Sequence, residues 1–296
     1  MAGGQERILR RRIKSVQATR KITKAMELIA ASQIQKAQAR ISANRPFRDG
    51  MARLIHEVVK GDPSLAKNLF ASAENVETAV ILAIVGDRGL SGAYNSSVLR
   101  ATERLIAELK ERGVQVRLFA VGKKAAGYFR FRGIAVEEDF VGFADRPTFA
   151  DARRVATAVL APYFAGEAQE IHLISTKYLS SASQKVATAV LLPLQAPEVP
   201  ADAPKKLEGY TEFEPEVSRL VAGLVKVPIE SEIFTALLEG AASFHTSQQR
   251  AMAAATDNAD ELGRVLTRIM NRARQDSITT EIMEIVSGAE ALRSGK

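Results

Sequence analysis

The sequence predicts an α/β domain carried between two long helices, with the N- and C-terminal helices paired as an antiparallel coiled coil. Three observations predict it. Residues from Gln5 to about Lys60, and again from Ile229 to Leu292, place apolar side chains at steps of three and four. Between them, from about Val76 to Leu194, short β-type apolar runs alternate with amphipathic stretches. Each helical stripe is too apolar to stay in water and has the width to cover the other.

The first helix spans 1–60. Leu9, Ile13, Val16, Ile22, Met26 and Ile29 are assigned to its buried stripe, which only Pro46 and Gly50 interrupt. The stretch Ala30–Ala43 is rich in alanine and glutamine, which favours helix and permits close approach of a second one. A linker is expected over 61–75. The α/β domain, 76–195, is Rossmann-like, and the runs that build it are Ala79–Val85, Tyr94–Arg112, Val114–Val121, Lys123–Phe131, Thr148–Phe164, Ile171–Ser175 and Lys185–Leu194. That alternation implies βαβ units, a largely parallel sheet and helices on both faces.

A proline- and charge-rich connector, 196–215, leads to the last helix, 216–296. Leu262, Leu266, Ile269 and Ala273 form one heptad run; Ile278, Ile282, Ile285, Ala289 and Leu292 form a second that is out of phase with the first. From Ile229 to Leu292 an unbroken helix would be roughly 95 Å long. Pro228 predicts a kink or break near Val225–Pro228.

Composition removes several chemistries. There is no cysteine, so disulfides, thiolate catalysis and cysteine-held metals are excluded. The three histidines, His56, His172 and His245, are far apart in sequence and poorly suited to a metal cage. No apolar run approaches the ~20 residues of a membrane span. The net charge of +7 is uneven: residues 1–60 hold fourteen Lys and Arg against four Asp and Glu, while the remainder is slightly acidic. Such a basic end is a solvated surface or the footprint of an acidic partner.

The stretch "AVILAIVGDRGLSGAYN", Ala79–Asn95, raises the question of a phosphate cradle. Its glycines, Gly86, Gly89 and Gly92, are spaced G-x-x-G-x-x-G rather than G-x-G-x-x-G, and Asp87 stands where an anion would dock. The acidic residue expected after the next strand is replaced by Gly122-Lys123-Lys124. The loop therefore reads as a strand-to-helix turn. Glu137, Glu138 and Asp139 are consecutive and do not converge, and Ser180, Ser181 and Ser183 lack a neighbouring base. No catalytic set emerges.

"IKSVQATRKITKAMELIAASQIQKAQAR" (Ile13–Arg40), "NRARQDSITTEIMEIVSGAEAL" (Asn271–Leu292) and "DRGLSGAYN" (Asp87–Asn95) closely resemble, in order, signatures of the gamma subunit of F-type ATP synthase. The resemblance spans nearly the whole length. It implies a central rotor shaft inside a ring of three alpha and three beta subunits, one copy per complex. It also implies a foot on the epsilon subunit and the membrane ring of c subunits. Rotation couples ion flow to ATP synthesis or hydrolysis on the beta subunits; the shaft itself performs no bond chemistry and needs no cofactor or metal.

By the same resemblance Ile22, Lys24, Met26, Arg274, Gln275, Thr279 and Glu281 are contacts to the beta subunits. Phe213 and Glu214 face the c ring and epsilon. Membrane contact is then indirect, and the place is the cytoplasmic face of a bacterial inner membrane. "SFHTSQQRAM" (Ser243–Met252) departs from the family pattern at Phe244, Gln248 and Gln249, which points to a divergent bacterial branch or a second copy of the enzyme. Ser91 stands where many relatives carry cysteine.

Two other classes are distinguishable. A dinucleotide enzyme predicts saturable cofactor binding by the α/β domain. A nucleic-acid-binding coiled coil predicts affinity that falls steeply with salt, but the basic residues are not interleaved with aromatics.

Overall fold

The computed structural model describes residues 2–61, 75–194 and 217–294, with side chains over 5–55, 75–194 and 225–293. The elements in chain order are α1 (Ala2–Gly61), β1 (Thr78–Ile84), α2 (Tyr94–Glu111), β2 (Gln115–Val121), α3 (Lys123–Phe131), β3 (Glu138–Phe140), α4 (Phe149–Phe164), β4 (Glu170–Tyr178), β5 (Gln184–Leu192) and α5 (Val217–Ser294). The chain divides into two compact units: residues 1–30 with 249–296, and residues 31–248.

In the second unit the strands order as β3-β2-β1-β4-β5. β1 pairs in parallel with β2 and β4, and β2 with β3, while β5 runs antiparallel to β4. β1 is apolar from Ala79 to Ile84 because both of its faces are covered. Val80, Leu82 and Ile84 point to a core shared with α4 and the start of α5, including Val155, Val159, Ile229 and Ile233. Ala79, Ile81, Ala83 and Val85 point to the opposite core, with Val98, Ile106 and Phe129 of α2 and α3. The expected helices on both faces are present. α4 starts at a reciprocal cap, in which the Asp151 N–H donates to Thr148 Oγ1 at 3.2 Å and the Thr148 N–H donates to Asp151 Oδ2 at 2.8 Å.

Two expected breaks are absent. α5 continues through Pro228. A proline inside a helix costs about 3 kcal/mol. Here Val225, Ile229, Ile233 and Leu237 are all buried around it, and full burial of such side chains returns about 1.5–3 kcal/mol each. α1 likewise continues through Pro46 and Gly50. Tertiary contacts hold that turn: Asn44 Nδ2 donates to Thr235 Oγ1 at 2.9 Å, Arg40 donates to the Pro147 carbonyl, and the Phe47 ring meets Phe149 edge-on at 6.4 Å.

In the first unit α1 and α5 run antiparallel. Arg20 Nε donates to Asp260 Oδ1 at 2.5 Å and the hydroxyls of Thr23 and Thr256 are 2.8 Å apart. The seam on α1 is Leu9, Ile13, Val16, Arg20, Thr23, Glu27 and Ala30, in steps of four and three, and each of them except the Arg20 and Glu27 pair-forming positions is small or apolar in its buried part. On α5 it is Met252, Thr256, Ala259, Gly263, Leu266, Met270 and Ala273. The expected stripe is corrected at several positions: Ile22, Ile29, Leu262 and Ile269 are 44–61% exposed, one residue off the seam, where Thr23, Ala30, Gly263 and Met270 stand instead.

Candidate coupling surface and the glycine loop

The glycine loop belongs to the second unit. Asp87 accepts hydrogen bonds from the backbone N–H groups of Lys123, Gly142 and Ala144 at 3.0–3.1 Å, so the first amide of α3 and two amides of the loop after β3, donors that could meet a phosphate, are taken by a carboxylate of the chain itself. Asn95 closes the other side, with Oδ1 accepting from the Gly86 N–H at 2.9 Å and Nδ2 donating to the Arg88 carbonyl at 3.0 Å.

The strand order reverses between β1 and β4, where a doubly wound sheet usually opens a ligand crevice. α5 fills it. A β-carbon at Gly86 would stand 3.0 Å from the Phe244 ring, and one at Gly240 would stand 3.1 Å from the Tyr94 hydroxyl. Phe244 is 2% exposed and meets Tyr94 edge-on at 5.7 Å. The departure at Phe244 is therefore an apolar plug in this crevice.

Glu137, His172 and His245 each have a structural partner. Glu137 pairs with Arg117, which reaches Glu167 through its other nitrogen at 2.5 Å. His172 Nε2 is 3.0 Å from Glu170, and burial lowers the pKa of His245, whose Nε2 is 3.5 Å from the Asp145 carbonyl. Among the described residues no group of His, Asp and Glu could hold a metal ion. The side chain of His56 lies outside the described residues.

Glu239 on α5 is half-buried and accepts from the Tyr178 N–H at 3.4 Å. Burial raises its pKa above 4.5; Glu232 adds to the rise, and Tyr178, Lys177 and Arg48 oppose it. The folded chain thus binds this proton more tightly than the unfolded chain, and stability falls as pH rises from 4.5 through the raised folded value. The expected result for Glu239→Gln is a smaller loss of urea stability over that rise than in the parent chain. Parallel pH dependences for the two proteins would contradict it.

The residues assigned to coupling lie on the first unit. Ile22 is 61% exposed, Lys24 pairs with Glu27 at 3.0 Å, and Met26 is half-buried. Arg274, Gln275, Thr279 and Glu281 are exposed on α5, with the Thr279 hydroxyl bonded to the Gln275 carbonyl at 3.0 Å and Ser277 Oγ 3.5 Å from Glu281. Phe213 and Glu214 lie outside the described residues.

Leu28 and Ile29, at 61% and 59% exposure, join Ile22 in an outward apolar face that the stripe reading missed. On α5, Ile278, Ile282, Met283, Ile285, Val286 and Leu292 are 49–83% exposed. The register explains them. With Arg20 against Asp260 and Thr23 against Thr256, each step up α1 is a step down α5. Carried to Ala2, the pairing ends near Ile278, and α5 beyond it has no helical partner among the described residues. The phase change in the sequence marks that end.

Exposed isoleucines on two-helix packing mark a contact module, the kind of surface that apolar side chains present to a partner. A family model described as ATP synthase matches residues 5–292. The ATP synthase gamma chain of Parafrankia sp. is 45% identical over 99% of each chain, and that of Kineococcus radiotolerans is 44% identical over 98% of each.

In fold, a chain of the Euglena gracilis mitochondrial ATP synthase matches with a TM-score of 0.70 at 17% identity, covering 99% of this chain and 96% of its own. A chain of the Tetrahymena thermophila central stalk and c ring matches at 0.62 and 22% identity, covering 79% of this chain and 99% of its own. The chain belongs to the gamma-chain family of ATP synthase.

Proposed function

We propose that this chain is the central rotor shaft of an F-type ATP synthase, one copy per complex. The paired helices 1–60 and 216–296 turn within three alpha and three beta subunits, and the domain 76–195 rests with epsilon on the c ring. The observation that carries this reading is the apolar stretch Ile278–Leu292, which emerges from the helix pair with no covering partner among the described residues and fits a sleeve supplied by other chains. The chain does no bond chemistry in this reading; it changes which beta subunit is open. No helix among the described residues is long and apolar enough to cross a membrane, which fits a peripheral place on the cytoplasmic face of a bacterial inner membrane.

Ile22, Lys24 and Met26 contact the beta subunits from α1. Arg274, Gln275, Thr279 and Glu281 do so from α5, and Phe213 with Glu214 meets the foot partners. Exposed ion pairs and hydrogen bonds worth about 1 kcal/mol or less suit a contact that must break at each step. Co-expression with alpha and beta subunits of the same source is expected to yield a stable complex with one copy of this chain; failure to co-purify would overturn the proposal. Within that complex, Arg274→Ala with Gln275→Ala is expected to lower ATP turnover about three- to tenfold, the equivalent of one hydrogen-bonded contact, without loss of assembly. Unchanged turnover would remove those two residues from the coupling surface and leave the shaft reading standing.

A further inference from the structure

We infer that the groove between α1 and α5 in the first unit is an anion site for a phosphate chain, of the class of tripolyphosphate or the phosphates of a nucleotide. The groove has a volume of about 490 Å³ and is lined by Gln17, Arg20, Asp260, Arg264, Arg268 and Asn271, among others. That volume is in the range of sites for small ligands, roughly 300–1,000 Å³. Three guanidinium groups face one carboxylate, and that carboxylate is committed: Asp260 holds Arg20 at 2.5 Å. Arg264 and Arg268 are exposed, one turn apart, and make no ion pair among the described residues. Like charges at that spacing repel, so an anion between them relieves a cost that the chain carries on its own.

The geometry favours a chain of anionic groups over a single one. Arginine forks match phosphate oxygens two at a time, and one carboxylate would satisfy one fork and leave the second unpaired. Successive phosphates satisfy both, and the side-chain amides of Gln17 and Asn271 add neutral donors from the two helices. The Thr267 hydroxyl takes no part, since it donates to the Gly263 carbonyl at 2.8 Å. A β-carbon at Gly263 would meet nothing within 4 Å, so the floor of the groove is open to a guest. The inference is independent of the shaft reading, because it rests on the arginines and the groove alone.

The test is calorimetric titration of the full chain with tripolyphosphate, ATP and adenosine in low salt. Saturable binding of tripolyphosphate and ATP, none of adenosine, and weakening on addition of NaCl are expected. Equal affinity for the two assigns the site to any phosphate chain, whereas tighter ATP binding assigns it to nucleotides. Arg264→Gln with Arg268→Gln is expected to weaken binding at least about tenfold, with the helical circular dichroism unchanged because both side chains are exposed. No saturable heat at millimolar tripolyphosphate would overturn the site. So would equal affinity in the variant, or displacement by an oligoglutamate peptide at lower concentration than tripolyphosphate itself.

Discussion

Gly122→Ala is expected to lower the stability of the second unit by about 3–5 kcal/mol, through strain and a forced backbone shift together. Gly122 precedes α3 with φ +96° and ψ 138°, a conformation essentially reserved for glycine. A β-carbon there would stand 2.4 Å from the Val85 carbonyl oxygen and 2.8 Å from that of Gly86. Both obstacles are backbone at the end of β1, which is buried on two sides, so neither can swing away as a side chain would. The Gly122 N–H also donates to the Phe140 carbonyl at 2.7 Å, so any retreat of the residue breaks the link to β3.

Gly127→Ala, five residues on within the same helix, is the matched control. A β-carbon there meets nothing within 4 Å, and the change is expected to stabilise by about 0.5–1 kcal/mol. Urea denaturation of the two variants should therefore move in opposite directions from the parent. A loss at Gly122→Ala no larger than 1 kcal/mol would show that the loop yields where the packing says it cannot.

Much of this fold was legible because its longest signals are periodic. β1 reads as a strand from its unbroken apolar run, and the terminal helices read from their steps of three and four. The misreadings share one physical cause, which is that contacts distant in sequence decide local outcomes. Ile22 and Ile29 look like seam residues, but the seam passes through Arg20, Thr23 and Ala30, and the partners of the first two, Asp260 and Thr256, lie more than two hundred residues away. Pro228 looks like a break until the apolar residues around it are seen packed into the sheet core.

β3 is three residues, two of them acidic, too short to show a period. The antiparallel β5 did leave a trace: Leu179–Ser183 is too short for the crossover that a parallel neighbour requires. The assignment of coupling residues rests on the family resemblance alone. The outward apolar face at Ile22, Leu28 and Ile29 becomes visible once the true heptad phase is drawn.

Asp87→Ala is expected to cost about 2–4 kcal/mol, because it strips the acceptor from three backbone donors at once and water can reach only part of the site. Lys123, Gly142 and Ala144 come from the start of α3 and from the loop after β3, and Asp87 is the single group that gathers them beside the end of β1. The loss has a spatial signature that a general destabilisation lacks. Hydrogen exchange should quicken at the amides of Gly142, Ala144 and Lys123 well before it quickens in β1 or β4, since these open first when their shared acceptor is gone.

Asp87→Asn keeps one acceptor oxygen but turns an NH2 toward the remaining donors, and it is expected to fall between parent and alanine. The same pair of variants settles what this carboxylate does for the glycine loop. If the aspartate is the resident anion of the loop, removing it leaves three donors, one at the α3 N-terminus and two in the loop after β3, without a partner, and added phosphate should restore part of the lost protection in Asp87→Ala while leaving the parent unaffected. Equal response of parent and variant to phosphate would show that the loop holds its shape by other means.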